Sequence, residues 1–432
     1  MIEKVATKWP VGLAVLVALM VIGCQPAGAP LSDVRVVPAI ISPNADGKDD
    51  LARITYRLHA PARVSIYLIG PDGKRFDLRR DVERSASPAP YELLFNGVAN
   101  GRLMPNGDYT WHVEAQTTHG QSAFSGSLRI EQADMPFPKL QDFTLSSTIF
   151  TPNRDGIDDR VYINVYLTAR ARLNVYVVGA DGFRYEVQRR EGLQLVSSDA
   201  ELGAGRYNYD YDGGIDLGAD PPPNGLYTVV AQSQDAIGQR DTVTASLVIT
   251  QSGRPNAEIV VQPDGSGVIW ARANGEPPPG NPNEAQRLTF GLGETLHFTM
   301  AVRNTGLVPI RTAGPFDPND CYRMDENRYT KGFPQEPGVF RVGVDYETNT
   351  GSDHPWRWGV GSLDDLDIVL RDGQPLYYLA PGKQVLVRGC IQLTQIPVRN
   401  PFYVWASLIH EDVEITAINN RVSPVLIQIV KP

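Results

Sequence analysis

The sequence predicts an all-β chain of sandwich modules in series, and three observations carry that prediction. Glycine (40) and proline (34) punctuate 432 residues in which no long helical periodicity runs, so short strands joined by turns are expected. Short runs such as Ile54-Thr55-Tyr56-Arg57-Leu58 alternate apolar with polar residues, the pattern of strands buried on one face. Finally, Pro43-Asn44-Ala45-Asp46-Gly47-Lys48-Asp49-Asp50 returns 109 residues downstream as Pro152-Asn153-Arg154-Asp155-Gly156-Ile157-Asp158-Asp159. That period is too long for a solenoid unit and suits one small β domain.

The first 23 residues read as a targeting segment. Lys4 and Lys8 precede an uncharged apolar run from Val11 to Ile22, and twelve residues are few for a transmembrane helix. The run ends in Val21-Ile22-Gly23-Cys24, which resembles the lipobox of bacterial lipoproteins with valine in place of the usual leucine. The resemblance implies cleavage after Gly23, acylation of Cys24, and a lipid anchor that holds the chain to a membrane of the cell envelope, outside the cytoplasm. Residues 24–32 form a tether of small residues and proline.

Module one is placed at 33–132. Strands are expected at Val34–Val37, Ala52–Leu58, Arg63–Ile69, Lys74–Leu78, Tyr91–Phe95, Tyr109–Gln116 and Ser122–Ile130. Pro71-Asp72-Gly73-Lys74 is a hairpin turn, with proline presetting φ and glycine supplying the positive φ. Seven strands within about 100 residues indicate an immunoglobulin-like sandwich.

Module two, 139–251, repeats these landmarks. Val175-Tyr176-Val177-Val178-Gly179-Ala180-Asp181-Gly182 matches Ile66-Tyr67-Leu68-Ile69-Gly70-Pro71-Asp72-Gly73. Pro223-Asn224-Gly225-Leu226-Tyr227 matches Pro105-Asn106-Gly107-Asp108-Tyr109 at an offset of 118, which places an insertion near Ser197–Gly205. An early Pro-Asn-x-Asp-Gly loop and a late Pro-x-Gly-x-Tyr turn together resemble the immunoglobulin-like module of flagellar hook-assembly scaffold proteins and bacterial surface proteins. The resemblance implies a fold more than an activity.

Module three, 255–432, is longer. Leu292-Gly293-Glu294-Thr295-Leu296-His297-Phe298, with Asn304-Thr305-Gly306, Leu379-Ala380-Pro381-Gly382-Lys383 and Asn419-Asn420-Arg421-Val422, resembles the bacterial cell-adhesion-related domain CARDB. Strands are expected at 295–303, 384–393, 402–409 and 422–430. The excess length falls in two insertions, Gln262–Gln286 and Thr312–Leu363. The whole chain is thus expected to be three immunoglobulin-like β-sandwich domains in series after a lipoprotein signal peptide.

Candidate chemistry is sparse. A net charge of −9 with no basic run argues against a nucleic-acid partner. The six histidines are scattered, and His410-Glu411-Asp412 lacks the second histidine of a zincin helix. With Cys24 acylated, Cys321 and Cys390 remain as a pair for a disulfide in an oxidising compartment. Asn44, Asp46, Asp49 and Asp50, with Asn153, Asp155, Asp158 and Asp159, offer hard oxygens suited to calcium. The same residues also suit a hydrogen-bonded Asx turn, the preferred reading, because the spacing is not that of an EF-hand. Trp356 and Trp358 offer a stacking platform for a glycan or peptide, or else fill the core, the preferred reading. These features predict a non-catalytic binding, adhesion or spacer lipoprotein without a cofactor unless calcium, with an envelope protein or glycan as partner. A structural envelope or appendage-assembly component is the alternative, and a carbohydrate-active enzyme or its accessory subunit the next.

Overall fold

The computed structural model describes residues 29–191, 194–196, 200–262, 266–272 and 287–431. Cys24 and the targeting segment lie outside the described residues, as does the proline-rich part of the first insertion. Among the described residues the only helical elements are three 3-10 turns, Ile215–Leu217, Leu363–Asp365 and Ala417–Asn419, so the chain is all-β. It divides into two compact units. One holds the described residues up to Phe137 with Ala236–Gln239, and the other holds Pro138–Asp235 with the described residues from Arg240 onward.

In the first unit, Leu31–Val37, Ala52–Leu58 and Tyr91–Phe95 form one sheet in that order. Ile40–Ile41, Gly120–Ile130, Gly107–Thr117, Ala62–Ile69 and Arg75–Arg84 form the other. The expected alternation is present: Ala52, Ile54, Tyr56 and Leu58 point inward from one strand and meet Leu68, Val113 and Leu128 of the opposite sheet in one core. At the hairpin turn Gly73 has φ 76°, and its N–H donates to Gly70 O at 2.9 Å. The Pro-Asn-Gly-x-Tyr turn gains a physical account as well. The Tyr109 hydroxyl donates to Pro105 O at 2.7 Å, and Asn106 Oδ1 accepts the Ala133 N–H at 2.8 Å, which pins the next strand's exit.

The second unit contains two sandwiches with separate cores. In its first, Leu140–Leu145, Val161–Leu167 and Gly205–Tyr211 oppose a sheet ordered Ile149–Phe150, Arg240–Ile249, Gly225–Gln234, Ala171–Gly179, Arg184–Glu186. The tyrosine turn recurs: Tyr227 donates to Pro223 O at 2.7 Å, and Asn224 accepts the Ser252 N–H at 2.9 Å. The extra length near 197–205 includes the strand Glu201–Leu202, which pairs with the start of Ala171–Gly179. Upstream of it stands a hairpin, Arg189–Glu191 with Gln194–Val196.

In the last sandwich, Thr295–Asn304 and Gln384–Gln392 centre one sheet, flanked by Ala257–Ile259, Val268–Ala271 and Tyr322–Arg323. The facing sheet runs Arg287–Gly291, Val422–Val430, Phe402–His410, Phe340–Tyr346, Ile310–Thr312, Gln374–Leu379, Asp367–Arg371. Cys321 and Cys390 are disulfide-bonded with Cα atoms 4.6 Å apart, tying Tyr322–Arg323 to Gln384–Gln392.

The structure adds strands to the insertions and decides between the two readings of the tryptophans in favour of core. The segments read as insertions supply structure: Val268–Ala271 buries Trp270, and Phe340–Tyr346 is a central strand buried on both faces. Trp356 and Trp358 are 2% and 1% exposed, so neither presents a face to a glycan or peptide. Trp358 packs edge-on against Phe298 and Tyr322, with centroids 4.8 and 4.9 Å away, and Trp356 stacks on Tyr346 at 5.1 Å. Both rings are core because their strand, Trp356–Gly359, pairs with Phe340–Tyr346 inside the sandwich.

Candidate functional site: the second acidic loop and the joint it makes

The two copies of the acidic loop share one backbone. Ala45 and Arg154, Gly47 and Gly156, and Asp49 and Asp158 all have positive φ, in register. Asp50 accepts the N–H groups of Asn44 and Ala45 at 3.0 Å and of Gly47 at 2.8 Å. Asp159 accepts those of Asn153 at 3.1 Å and Gly156 at 2.6 Å. Asn44 Oδ1 takes the Asp46 N–H and Asp46 Oδ1 the Lys48 N–H, and Asn153 and Asp155 do the same for Asp155 and Ile157. These are nested Asx turns, in which side-chain oxygens replace the ladder partners that the tight bend removes. Oxygens that calcium would need are thus turned onto the loop's own amides. Of the acidic positions, Asp49 and Asp158 are the ones whose carboxylates stay outside this network.

Their surroundings differ. Residues 45–49 are exposed, whereas Asn153 and Asp155 are 1% and 4% exposed because the second loop packs on the last sandwich. Here two glycines allow backbone to touch backbone. A Cβ on Gly338 would lie 2.2 Å from Asp155 C and 2.4 Å from Gly156 N, and one on Gly156 would lie 2.3 Å from Pro337 O. Around this contact the Tyr378 hydroxyl donates to Asp155 Oδ2 at 3.1 Å, and the Arg371 guanidinium donates to both oxygens of Asp158. His410 Nε2 sits 2.9 Å from Arg154 O as donor. Arg311 donates to Pro337 O at 2.8 Å.

Behind the contact is a buried ion-pair group. Glu411, fully buried, accepts from Arg357 at 2.5 Å and from Arg341 at 3.3 Å, and its other oxygen takes the Glu336 N–H at 2.8 Å. Removing one member would leave charge stranded in a dry interior, a cost of about 3–5 kcal/mol. The group holds the Pro337–Gly338 and His410–Glu411 segments in place, since Gly338 N–H donates to Glu411 O and Glu411 N–H to Val339 O, both at 2.9 Å.

Burial dominates the electrostatics. It pushes the Asp155 carboxyl up to about 6, helped by the neighbouring Asp159 charge and opposed by the Ile157 N–H, Tyr378 and Arg311. Burial also raises Asp159 against the amides it accepts. The Tyr378 phenol is raised by burial and then by the Asp155 charge. The His410 imidazole is lowered to about 4, by burial first.

Beside the joint lies a cleft of about 250 Å³ whose lining includes Arg154, Asp159, Arg160, Asp212, Asp216 and Asp412. A hydrolase would place a carboxylate pair in such a cleft. Each carboxylate here is already engaged. Asp212 accepts the Gly214 and Asp216 N–H groups, Asp216 pairs with Arg160 and Arg154, and Asp412 accepts from Gln335.

Of the residues singled out in the sequence, the structure brings Asn153, Asp155, Asp158 and Asp159 into this joint and joins Cys321 to Cys390. Asn44, Asp46, Asp49 and Asp50 remain together in the exposed first loop. Gly338, Arg371, Tyr378 and His410 carried no local signal as partners. His410-Glu411 stood out for another reason, its partial likeness to a zincin helix.

No protein-family model matches this sequence, and no curated protein matches it. Among solved structures, a chimeric titin Z1Z2 is similar at 17% identity over 52% of this chain and 95% of its own, with TM-score 0.18. A tetra-tandem repeat from the extending region of a large adhesion protein is similar at 12% identity over 92% and 72%, with TM-score 0.18. A DUF4785 family protein from Legionella pneumophila is similar at 10% identity over 84% and 79%, with TM-score 0.24. At these TM-scores the likenesses carry no argument, and the all-β class rests on the strands themselves.

Proposed function

We propose that this chain is a lipid-anchored, extracytoplasmic spacer and binding protein of the cell envelope that performs no catalysis. The observation that carries the reading is the contrast between the two acidic loops. One stays exposed, and its copy is buried as a joint that seats one sandwich on the next through paired glycines. A spacer needs fixed joints between modules, and the carboxylates beside this joint are turned onto protein donors that hold its walls. The disulfide supports an oxidising compartment, and the lipobox-like Val21-Ile22-Gly23-Cys24 supports the anchor.

The test is fractionation of cells expressing the chain or its Cys24→Ala variant. The parent should sediment with membranes and be cleaved by protease added outside the cytoplasmic membrane. The variant should leave the membrane fraction. A variant that stays membrane-bound, or a parent that external protease cannot reach, overturns the reading.

A further inference from the structure

We propose that Asp345, Asp353 and His354 form a binding site for one divalent transition-metal ion. The site is in the last sandwich and does not depend on the spacer reading. The strand Phe340–Tyr346 and its antiparallel partner Trp356–Gly359 are joined by residues 347–355, and the three side chains meet where that connection closes. Their ligand atoms lie within 4.8 Å of one another. Asp353, with its side chain 68% exposed, is free to adjust by a rotamer, while Asp345 and His354 are buried.

Two carboxylates close together are common and mean little by themselves. The histidine is the second observation. His354 is 4% exposed, and its Nδ1 makes no hydrogen bond, its near neighbour being Asp353 Oδ1 at an ion-pair distance of 2.9 Å. A buried polar atom without a hydrogen bond needs an explanation.

The opposite ring nitrogen says which form of the ring is present. Nε2 lies 2.9 Å from Ser407 Oγ, and that hydroxyl also accepts the Arg421 N–H at 3.1 Å and donates to Asn420 Oδ1 at 3.4 Å. When the hydroxyl hydrogen is directed to Asn420, Nε2 supplies the proton of the His354–Ser407 bond. Nδ1 of the neutral ring then keeps a lone pair. That form gathers one ring nitrogen and two carboxylates within 4.8 Å of one another, an arrangement that a cation among them would stabilise. A 2.9 Å spacing also suits two adjacent ligands, each about 2 Å from one ion.

The supporting contacts are those of a metal centre. A ligating histidine donates its other N–H to a fixed acceptor, as His354 does to Ser407. Asp345 is oriented by the N–H of Tyr346 at 2.8 Å, the Asn349 side chain at 2.7 Å and the N–H of His354 at 3.2 Å. The nearby cation, Arg357, stands 4.0 Å from Asp353 Oδ2 and is already committed to Glu411. One imidazole with two carboxylates suits zinc or another first-row divalent ion better than calcium or magnesium, which favour all-oxygen sets.

The experiment is calorimetric titration of ZnCl₂ into the full chain after EDTA treatment and dialysis. The parent should show one saturable site per chain. Asp353→Asn, a change at an exposed side chain that leaves the fold intact, should weaken it at least tenfold, and His354→Ala should abolish it. A double variant of the acidic loops, Asp49→Asn with Asp158→Asn, should bind as the parent does. Absence of saturable zinc binding by the parent, or parental affinity in Asp353→Asn, overturns the site.

Discussion

Asp158 accepts two hydrogen bonds from the Arg371 guanidinium, at 2.9 and 3.1 Å, across 213 residues of sequence. The pair joins the second acidic loop to the hairpin Asp367–Arg371/Gln374–Leu379 of the last sandwich. Both side chains remain partly exposed, 44% for Arg371 and 31% for Asp158, so solvent screens the attraction. Its placement marks the joint. Its energy does not make it.

The joint should therefore respond to backbone more than to charge. Arg371→Ala is expected to change stability by only about 0–1 kcal/mol. Gly338→Ala puts a methyl within 2.6 Å of Arg154 O, Gly156 N and Asp155 C, at a φ of 77° that side chains rarely adopt. Limited proteolysis within residues 250–256 should be slow in the parent and in Arg371→Ala and fast in Gly338→Ala. Equal protection in all three would refute the role of the glycines.

The joint should also carry two opposed pH dependences. His410 stays neutral in the folded chain down to about pH 4, while the ordinary imidazole protonates near 6.5. As pH falls from 6.5 to 4 the unfolded state takes up a proton that the folded state refuses, so stability is lost. Asp155 behaves oppositely. Its folded value of about 6 lies above the ordinary 3.8, so between pH 6 and 4 the folded state binds the extra proton and stability is gained. Each contribution is on the order of 3 kcal/mol when complete. Relative to His410→Gln, the parent should lose stability on acidification from 6.5 to 4. Relative to Asp155→Asn, it should gain. Urea midpoints followed by tryptophan emission read both, since Trp270, Trp356, Trp358 and Trp405 all lie in the last sandwich.

Particular residues show how far the sequence could be read. Ala52–Leu58 and Val161–Leu167 alternate and bury every second side chain, so period and face were legible. Phe340–Tyr346 does alternate, Phe340, Val342, Val344 and Tyr346 with Arg341, Gly343 and Asp345, but that pattern announces one polar face, whereas the strand is buried on both and lay inside a segment read as an insertion. Its arginine is accommodated by Glu336 at 3.2 Å and by the buried Glu411 at 3.3 Å, the latter 70 residues away and announced by no local pattern. The joint was half legible. Both loops announced their turn through Asx and glycine chemistry, but which copy would be covered depended on Gly338, Tyr378 and His410, far along the chain.

The tyrosine turns offer a test of the repeat itself. Tyr109 and Tyr227 each donate to a proline carbonyl four residues earlier at 2.7 Å, with rings packed into separate cores. Phenylalanine keeps the packing and deletes the bond. Tyr109→Phe and Tyr227→Phe should each cost about 1 kcal/mol, measured as a lowered urea midpoint. A neutral effect at both positions would leave the shared motif without the energetic role assigned here.

The acidic loops divide calcium from hydrogen bonding at single residues. In the first loop Asp50 accepts three backbone N–H groups, while the Asp49 carboxylate takes no part in the network. If the loop is held by these bonds, Asp50→Ala removes three charge-assisted bonds that fix the bend and leaves their N–H groups to solvent. That should cost about 2 kcal/mol. Asp49→Ala should then cost less than about 0.5 kcal/mol, as surface changes away from such features do. EDTA should leave both midpoints where they are. If calcium holds the loop, Asp49 is among the residues placed to ligate it, and its loss should cost as much as that of Asp50. Added calcium at a hundredfold above its dissociation constant should then stabilise the parent by about 2.7 kcal/mol. The expected result is the first pattern, because Asp50 and Asp46 already face amides at 2.8–3.0 Å. A calcium-dependent midpoint that Asp49→Ala abolishes would reverse that assignment.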